Sequence, residues 1–257
     1  MIDAATFGAP NWVDLSTSDI ASASRFYSNL LGWNVETVVS EMGEYHVGKI
    51  GDFDVAGMMA QSPDMQGMPT LWTMFVFVEN VAATIPLVED SGGKVLQRPF
   101  EIPGGAWVSV VLDSTGAMFA LISGGPRPHG MYFSEEPGRV GWMELLTRDP
   151  AAASAFYSDV FGWDPAIDSS SGTDYTVFKL AGDDVCGMLM MPEEVPTAAP
   201  AHWAVYFSVA DCDASAQLAV DLGGTVARPP TDVGIAKFAV LEDPQGGVFN
   251  VMEYHSG

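Results

Sequence analysis

Trp12-Val13-Asp14-Leu15-Ser16-Thr17-Ser18-Asp19, with Phe26-Tyr27-Ser28 and Gly32-Trp33 behind it, returns later in the chain as a second copy. That copy reads Trp142-Met143-Glu144-Leu145-Leu146-Thr147-Arg148-Asp149, Phe156-Tyr157-Ser158 and Gly162-Trp163, at a constant offset of 130. From Trp12 to Trp33, twelve of twenty-two positions are identical to their partners, where composition alone would give about one or two. The echo continues outward. Tyr45, Val47, Lys49, Asp54, Val55, Gly57 and Met58 return as Tyr175, Val177, Lys179, Asp184, Val185, Gly187 and Met188. Trp72 meets Trp203, Gly92-Gly93 meets Gly223-Gly224, and Asp113, Gly116 and Phe119 meet Asp243, Gly246 and Phe249. A repeat of this length is a copied domain rather than a solenoid turn. The turn-rich stretch Ser123-Gly124-Gly125-Pro126-Arg127-Pro128-His129-Gly130 interrupts it. The expected organisation is therefore a first domain over 8–123, a linker over 124–137 and a second domain over 138–255.

Each copy predicts the same local structure. Asn11 to Thr17 and Gly141 to Thr147 alternate as strands do. Asp19 and Asp149 stand where a helix cap belongs, with Pro150 in the first turn of the second helix. Ala23, Phe26, Tyr27, Leu30 and Leu31 form an apolar stripe at helical spacing, and Gly32 and Gly162 stop the helices. Strands are expected around Glu44–Ile50 and Val55–Ala60. A further strand and helix follow over Leu71–Val78 and Ala82–Glu89, then strands over Ala106–Leu112 and Ala117–Ile122. Each half reads as two βαβββ units, the third strand carrying the weakest pattern.

Composition narrows the function. Of 257 residues, 48% are apolar, enough for two ordinary cores. Ten basic against thirty-three acidic residues give a net charge of −23. Such a chain repels phosphate backbones and anionic lipid, so neither nucleic acid nor membrane is an expected partner. The two cysteines, Cys186 and Cys212, are expected as buried thiols in a reducing cytoplasm. The start of the chain shows no basic-then-apolar signal, and the cytoplasm is the expected location.

The motifs Asp19…Phe26-Tyr27…Leu31-Gly32-Trp33, their echo from Asp149 to Trp163, and the turns Asp113-Ser114-Thr115-Gly116 and Asp243-Pro244-Gln245-Gly246 resemble the vicinal oxygen chelate superfamily. That superfamily includes glyoxalase, the bleomycin resistance proteins and the extradiol dioxygenases. The resemblance covers nearly the whole chain, twice. It implies an α+β fold of tandem glyoxalase-like domains, each of two βαβββ modules curled into an open eight-stranded cup. It also implies a divalent metal inside the cup. The family's ligands come from a residue seven before the capping Asp, one early in the fifth strand and one four after the last-turn Gly. Here those positions are Trp12 and Trp142, Thr73 and Ala204, and Ala120 and Asn250. None is a strong metal ligand, so no cofactor is expected.

The residues around those positions outline a binding surface. In the second half Glu144 and His202 are the candidate catalytic pair, with Trp142, Ala204, Tyr206, Asn250 and Met252 lining the pocket. In the first half Trp12, Asp14, Leu71, Thr73, Phe75, Ala120 and Ile122 take those places; no histidine is among them, and the first half reads as the more apolar. His46 reads as a strand-surface residue. Three functions from different classes follow. The first is a metal-free protein that binds a small organic molecule, which leans away from the family's enzymatic chemistry. The second is a lyase, isomerase or dioxygenase with Zn, Ni, Mn or Fe on relocated ligands Glu144 and His202. The third is a non-catalytic interaction protein. Either a monomer or a homodimer suits a chain of two tandem domains.

Overall fold

The computed structural model describes residues 5–62, 65, 67–125, 133–169, 174–193 and 195–255. Half of the expected linker, residues 126–132 with His129, lies outside the described residues. The elements run β1 (Pro10–Thr17), α1 (Ile20–Leu31), β2 (Asn34–Ser40), β3 (Gly43–Ile50), β4 (Phe53–Ala60), β5 (Leu71–Phe77), α2 (Val81–Asp90), β6 (Lys94–Ile102), β7 (Ala106–Leu112) and β8 (Met118–Gly124). The second half repeats them as β9 (Val140–Thr147), α3 (Pro150–Phe161), β10 (Asp164–Asp168), β11 (Tyr175–Leu180), β12 (Asp183–Met190), β13 (His202–Ser208), α4 (Cys212–Asp221), β14 (Thr225–Asp232), β15 (Ala236–Glu242) and β16 (Val248–Tyr254).

Two eight-stranded sheets result, in the orders β2-β3-β4-β1-β5-β8-β7-β6 and β10-β11-β12-β9-β13-β16-β15-β14. Each is open and cup-like, with edge strands at both ends rather than barrel closure. The first strand of each βαβββ unit pairs in parallel with the last, as β1 does with β4 and β5 with β8. A parallel pair needs a crossover, and the helix supplies it.

The helix boundaries have local causes. Asp19 accepts a hydrogen bond from the Ser22 amide at 2.9 Å, and Asp149 from the Ala152 amide at 2.9 Å. Asn80 and Asp211 cap α2 and α4 in the same way. Gly32 and Gly162 end their helices in the left-handed region, φ 73° and 71°, where a side chain would be strained.

The sheets follow the sequence halves; the compact units do not. One unit comprises Met1–Asn11, Met74–Gly130 and Met143–Trp203, the other Trp12–Thr73, Met131–Trp142 and Ala204–Gly257. The second of these has an aromatic core in which Tyr27 packs against Trp33, Trp72, Phe207 and Phe249. The Tyr27 hydroxyl donates to Asp243 Oδ2 at 3.0 Å and accepts from Trp72 Nε1 at 3.1 Å. Asp243 Oδ1 meanwhile accepts from the amides of Gln245 and Gly247, both at 2.8 Å. The other unit repeats the device with Tyr157, Asp113 and Trp203, at 2.9 Å and 2.8 Å. The helical Tyr and the Asp-x-x-Gly turn are thus partners from opposite halves of the sequence, buried in one core.

Candidate functional site

Alternation along β1 sorts its residues into two sets. Val13 and Leu15 are fully buried on one face, and Trp12, Asp14 and Ser16 share the other. In the β1–β4 register Asp14 lies opposite Gly57 and Ser16 opposite Met59, while Tyr45 of β3 lies opposite Met59. Gly57 lets two side chains cross the sheet above it: a Cβ there would overlap both the Tyr45 hydroxyl and Asp14 Oδ1.

The result is a compact polar triad. Trp12 Nε1 donates to Asp14 Oδ1 at 2.8 Å and to Tyr45 Oη at 2.8 Å. The Tyr45 hydroxyl donates to the same Asp14 oxygen at 2.6 Å. Trp12 and Asp14 are each 7% exposed. Burial lifts the Asp14 carboxyl to about 6, against the opposing pull of the Tyr45 and Trp12 hydrogen bonds. Burial first, and the neighbouring Asp14 charge second, push the Tyr45 phenol well above its ordinary value. At neutral pH the phenol therefore stays protonated as a donor while the carboxylate is ionised. What the arrangement can do is accept a hydrogen bond from, or a proton of, a bound molecule.

Gly57→Val tests how this triad is built. The added carbons would force Tyr45 and Asp14 off their shared position, and overpacking of this kind costs about 1–3 kcal/mol. A lowered urea midpoint is expected; an unchanged midpoint would mean that the two side chains move aside freely.

The second half carries Trp142, Glu144 and Tyr175 at the same repeat positions, and Gly187 lies opposite Glu144 in the β9–β12 register. Glu144 is buried. His202, expected to face inward beside it, is exposed at the first residue of β13, its Nδ1 3.0 Å from the Pro200 carbonyl oxygen. Position at the strand end explains the exposure. Tyr206 and Met252 do come together, with Ala236 in one buried cluster against which Trp142, Ala204, Phe238 and Tyr254 pack. Asn250 is buried and spends an amide hydrogen on the Val205 carbonyl at 3.0 Å. In the first half Phe75 is buried and lies opposite Ala120 in the β5–β8 register, and Thr73 is half-buried. His46 is not a surface residue. It is buried, with Nδ1 2.6 Å from Ser24 Oγ of α1.

A divalent metal does not fit the residues at the positions that the resemblance implies. The Trp12 indole is committed to Asp14 and Tyr45, Ala120 and Ala204 offer no side-chain donor atom, and the neutral oxygens of Thr73 and Asn250 are a weak set for a divalent ion. Among the described residues no group of three or more His, Cys, Asp or Glu could hold a metal ion. Sequence reasoning placed Trp12 and Asp14 on this surface but missed Tyr45, Gly57 and Ser16. The repeat of Tyr45 and Gly57 as Tyr175 and Gly187 was the available signal.

Comparison with known proteins bears on the family and the fold. The chain is 38% identical to a Mycobacterium bovis protein named as a glyoxylase, CFP32, over 96% of this chain and 95% of that one. It is 34% identical to the anthracycline biosynthesis protein DnrV of Streptomyces peucetius, over 97% of this chain and 94% of that one. In fold it resembles the Mn(II)-bound glyoxalase from Novosphingobium aromaticivorans, with TM-score 0.63 and 16% identity over 96% of this chain and 82% of the other. The 2,3-dioxygenase LapB from Pseudomonas sp. KL28 gives TM-score 0.63 and 15% identity over 98% and 96%. Residues 9–121 and 139–251 each match one family description, and the chain belongs to the Glyoxalase/Bleomycin resistance protein/Dioxygenase superfamily.

Proposed function

We propose that the protein binds a small organic molecule on the Trp12–Asp14–Tyr45 face of its first sheet, without the metal that the resemblance implies. The observation that carries this reading is Asp14 itself. A carboxyl group held at about 6 by burial is ionised at neutral pH at a cost to the fold. Perturbed groups of this kind concentrate at functional sites, and this one sits two residues from the position at which the family resemblance implies a first metal ligand. The relatives' names, a glyoxylase and an anthracycline biosynthesis protein, add weight to a small-molecule ligand. The charge of −23 argues against nucleic acid and anionic membrane as partners. Among the described residues no helix is long and apolar enough to cross a membrane. Cys186 and Cys212 are both free and buried, which suits a reducing cytoplasm.

Intrinsic fluorescence provides the test. The chain has seven tryptophans, so the wild type and a Trp12→Phe variant are titrated side by side with aromatic hydroxy compounds and aldehyde–thiol adducts. One class should quench or shift the wild type, the response should shrink in Trp12→Phe, and Asp14→Ala should weaken affinity about tenfold or more. No response to either class, or a response indifferent to both substitutions, would sink the proposal.

A further inference from the structure

Asp14 is not the last polar residue on its face of β1. Ser16, the next residue on that face, is 8% exposed, and its Oγ is buried with no hydrogen-bond partner among the described residues. A buried hydroxyl left unpaired costs about 1–3 kcal/mol, and native proteins rarely carry one without reason. The hydrogen bonds at Asp14 are one-sided as well. Trp12 and Tyr45 both donate to Oδ1, which leaves Oδ2 to accept from something else. Two residues apart on a strand, the two side chains start about 7 Å from one another, a span that one small ring bearing two oxygens can bridge.

The charge around them restricts what the ligand can be. Between residues 12 and 73 the only Lys or Arg are Arg25 and Lys49. Arg25 is exposed on α1, and Lys49 is held by Glu36 at 2.7 Å and Asp54 at 3.1 Å. In the rest of the same unit Arg139 pairs with Glu136 at 2.9 Å, Lys237 pairs with Asp213 at 2.7 Å and Arg228 lies over the Phe238 ring. An anion on this face would therefore meet the ionised Asp14 with its nearby cations already engaged. Met59 lies opposite Ser16 in register and is half-buried. Its unbranched thioether is a side chain that adapts to what lies beside it.

We infer that the ligand of this face is a neutral hydroxylated compound. One hydroxyl donates to Asp14 Oδ2, a second oxygen meets Ser16 Oγ, and Ser16 is the specificity-determining residue. The inference rests on the binding reading above and adds the ligand's chemistry to it.

Calorimetric titration of the full chain with a meta-dihydroxynaphthalene and with the matching naphthalene dicarboxylate separates the possibilities. The diol is expected to bind and the dicarboxylate not to. Ser16→Ala should weaken the diol about three- to tenfold, the worth of one hydrogen bond, while its unfolding midpoint stays level or rises because an unpaired hydroxyl is gone. Diol affinity untouched by Ser16→Ala but weakened by Asp14→Ala would overturn the role of Ser16 and leave the binding reading standing. Equal binding of the dicarboxylate would overturn the ligand class. Diol binding indifferent to both substitutions would sink this inference together with the reading beneath it.

Discussion

Asp243→Ala is expected to destabilise the protein by about 3–5 kcal/mol, an effect confined to deletions that strand several buried partners at once. One carboxylate accepts from the Gln245 and Gly247 amides through Oδ1 and from the Tyr27 hydroxyl through Oδ2. Alanine leaves all three donors unpaired in a core where Tyr27 is fully buried. Tyr27→Phe removes the tyrosine's link to Asp243 and the acceptor of Trp72 Nε1 but leaves the turn bonds in place, so it should cost clearly less. Calorimetry on a chain of this size should register Asp243→Ala as a fall of about 10 °C in the unfolding midpoint. Because the repeat builds the same device from Asp113 and Tyr157, Asp113→Ala should behave alike. A loss no larger than that of Tyr27→Phe would mean that the turn finds other acceptors.

Asp14→Asn is expected to do the opposite. The carboxyl titrates near 3.8 when unfolded and at about 6 in the native protein, so the native state binds the proton more tightly. Stability from the protonated form is fully present below 3.8 and is lost as pH rises through about 6. The difference corresponds to about 3 kcal/mol at pH 8 as an upper scale. Asparagine keeps an oxygen for the Trp12 and Tyr45 donors and carries no charge to desolvate. The variant should therefore be the more stable protein at pH 8 and equal to the wild type below pH 4. Acidification will also relieve repulsion among thirty-three acidic residues, which is why the wild-type minus variant difference is the quantity to follow. A flat difference across that range would contradict the burial of an ionised Asp14. Gained stability with lost binding is the trade expected of a functional buried charge.

The strands and helices that face a core were legible in the sequence because burial leaves a period. β1 and β9 are almost wholly buried, and α1 carries its stripe from Ala23 to Leu31. The strands that left no signal are β2, β6, β10 and β14, the edges of the two sheets. They are mostly exposed on both faces, so β2 from Asn34 to Ser40 shows no alternation to read. The composition of the compact units was equally hidden: Tyr27 with Asp243, and Tyr157 with Asp113, are pairings between halves that no local pattern encodes. At the site, a register of three strands decides what meets. Trp12 and Asp14 could be placed by alternation along one strand. Tyr45 reaches them only because β3 and β4 bring it past Gly57, and His202 is exposed because β13 begins there. The first half, expected to be the more apolar, holds the Trp12–Asp14–Tyr45 triad for that reason.

Affinity for the dihydroxynaphthalene probe before and after exhaustive chelation, with elemental analysis of the same untagged sample, tests the central claim most directly. Metal content far below one per chain is predicted, with binding unchanged by chelation and weakened by Asp14→Ala. Near-stoichiometric zinc, nickel, manganese or iron, with binding lost on its removal and restored on its return, would contradict it.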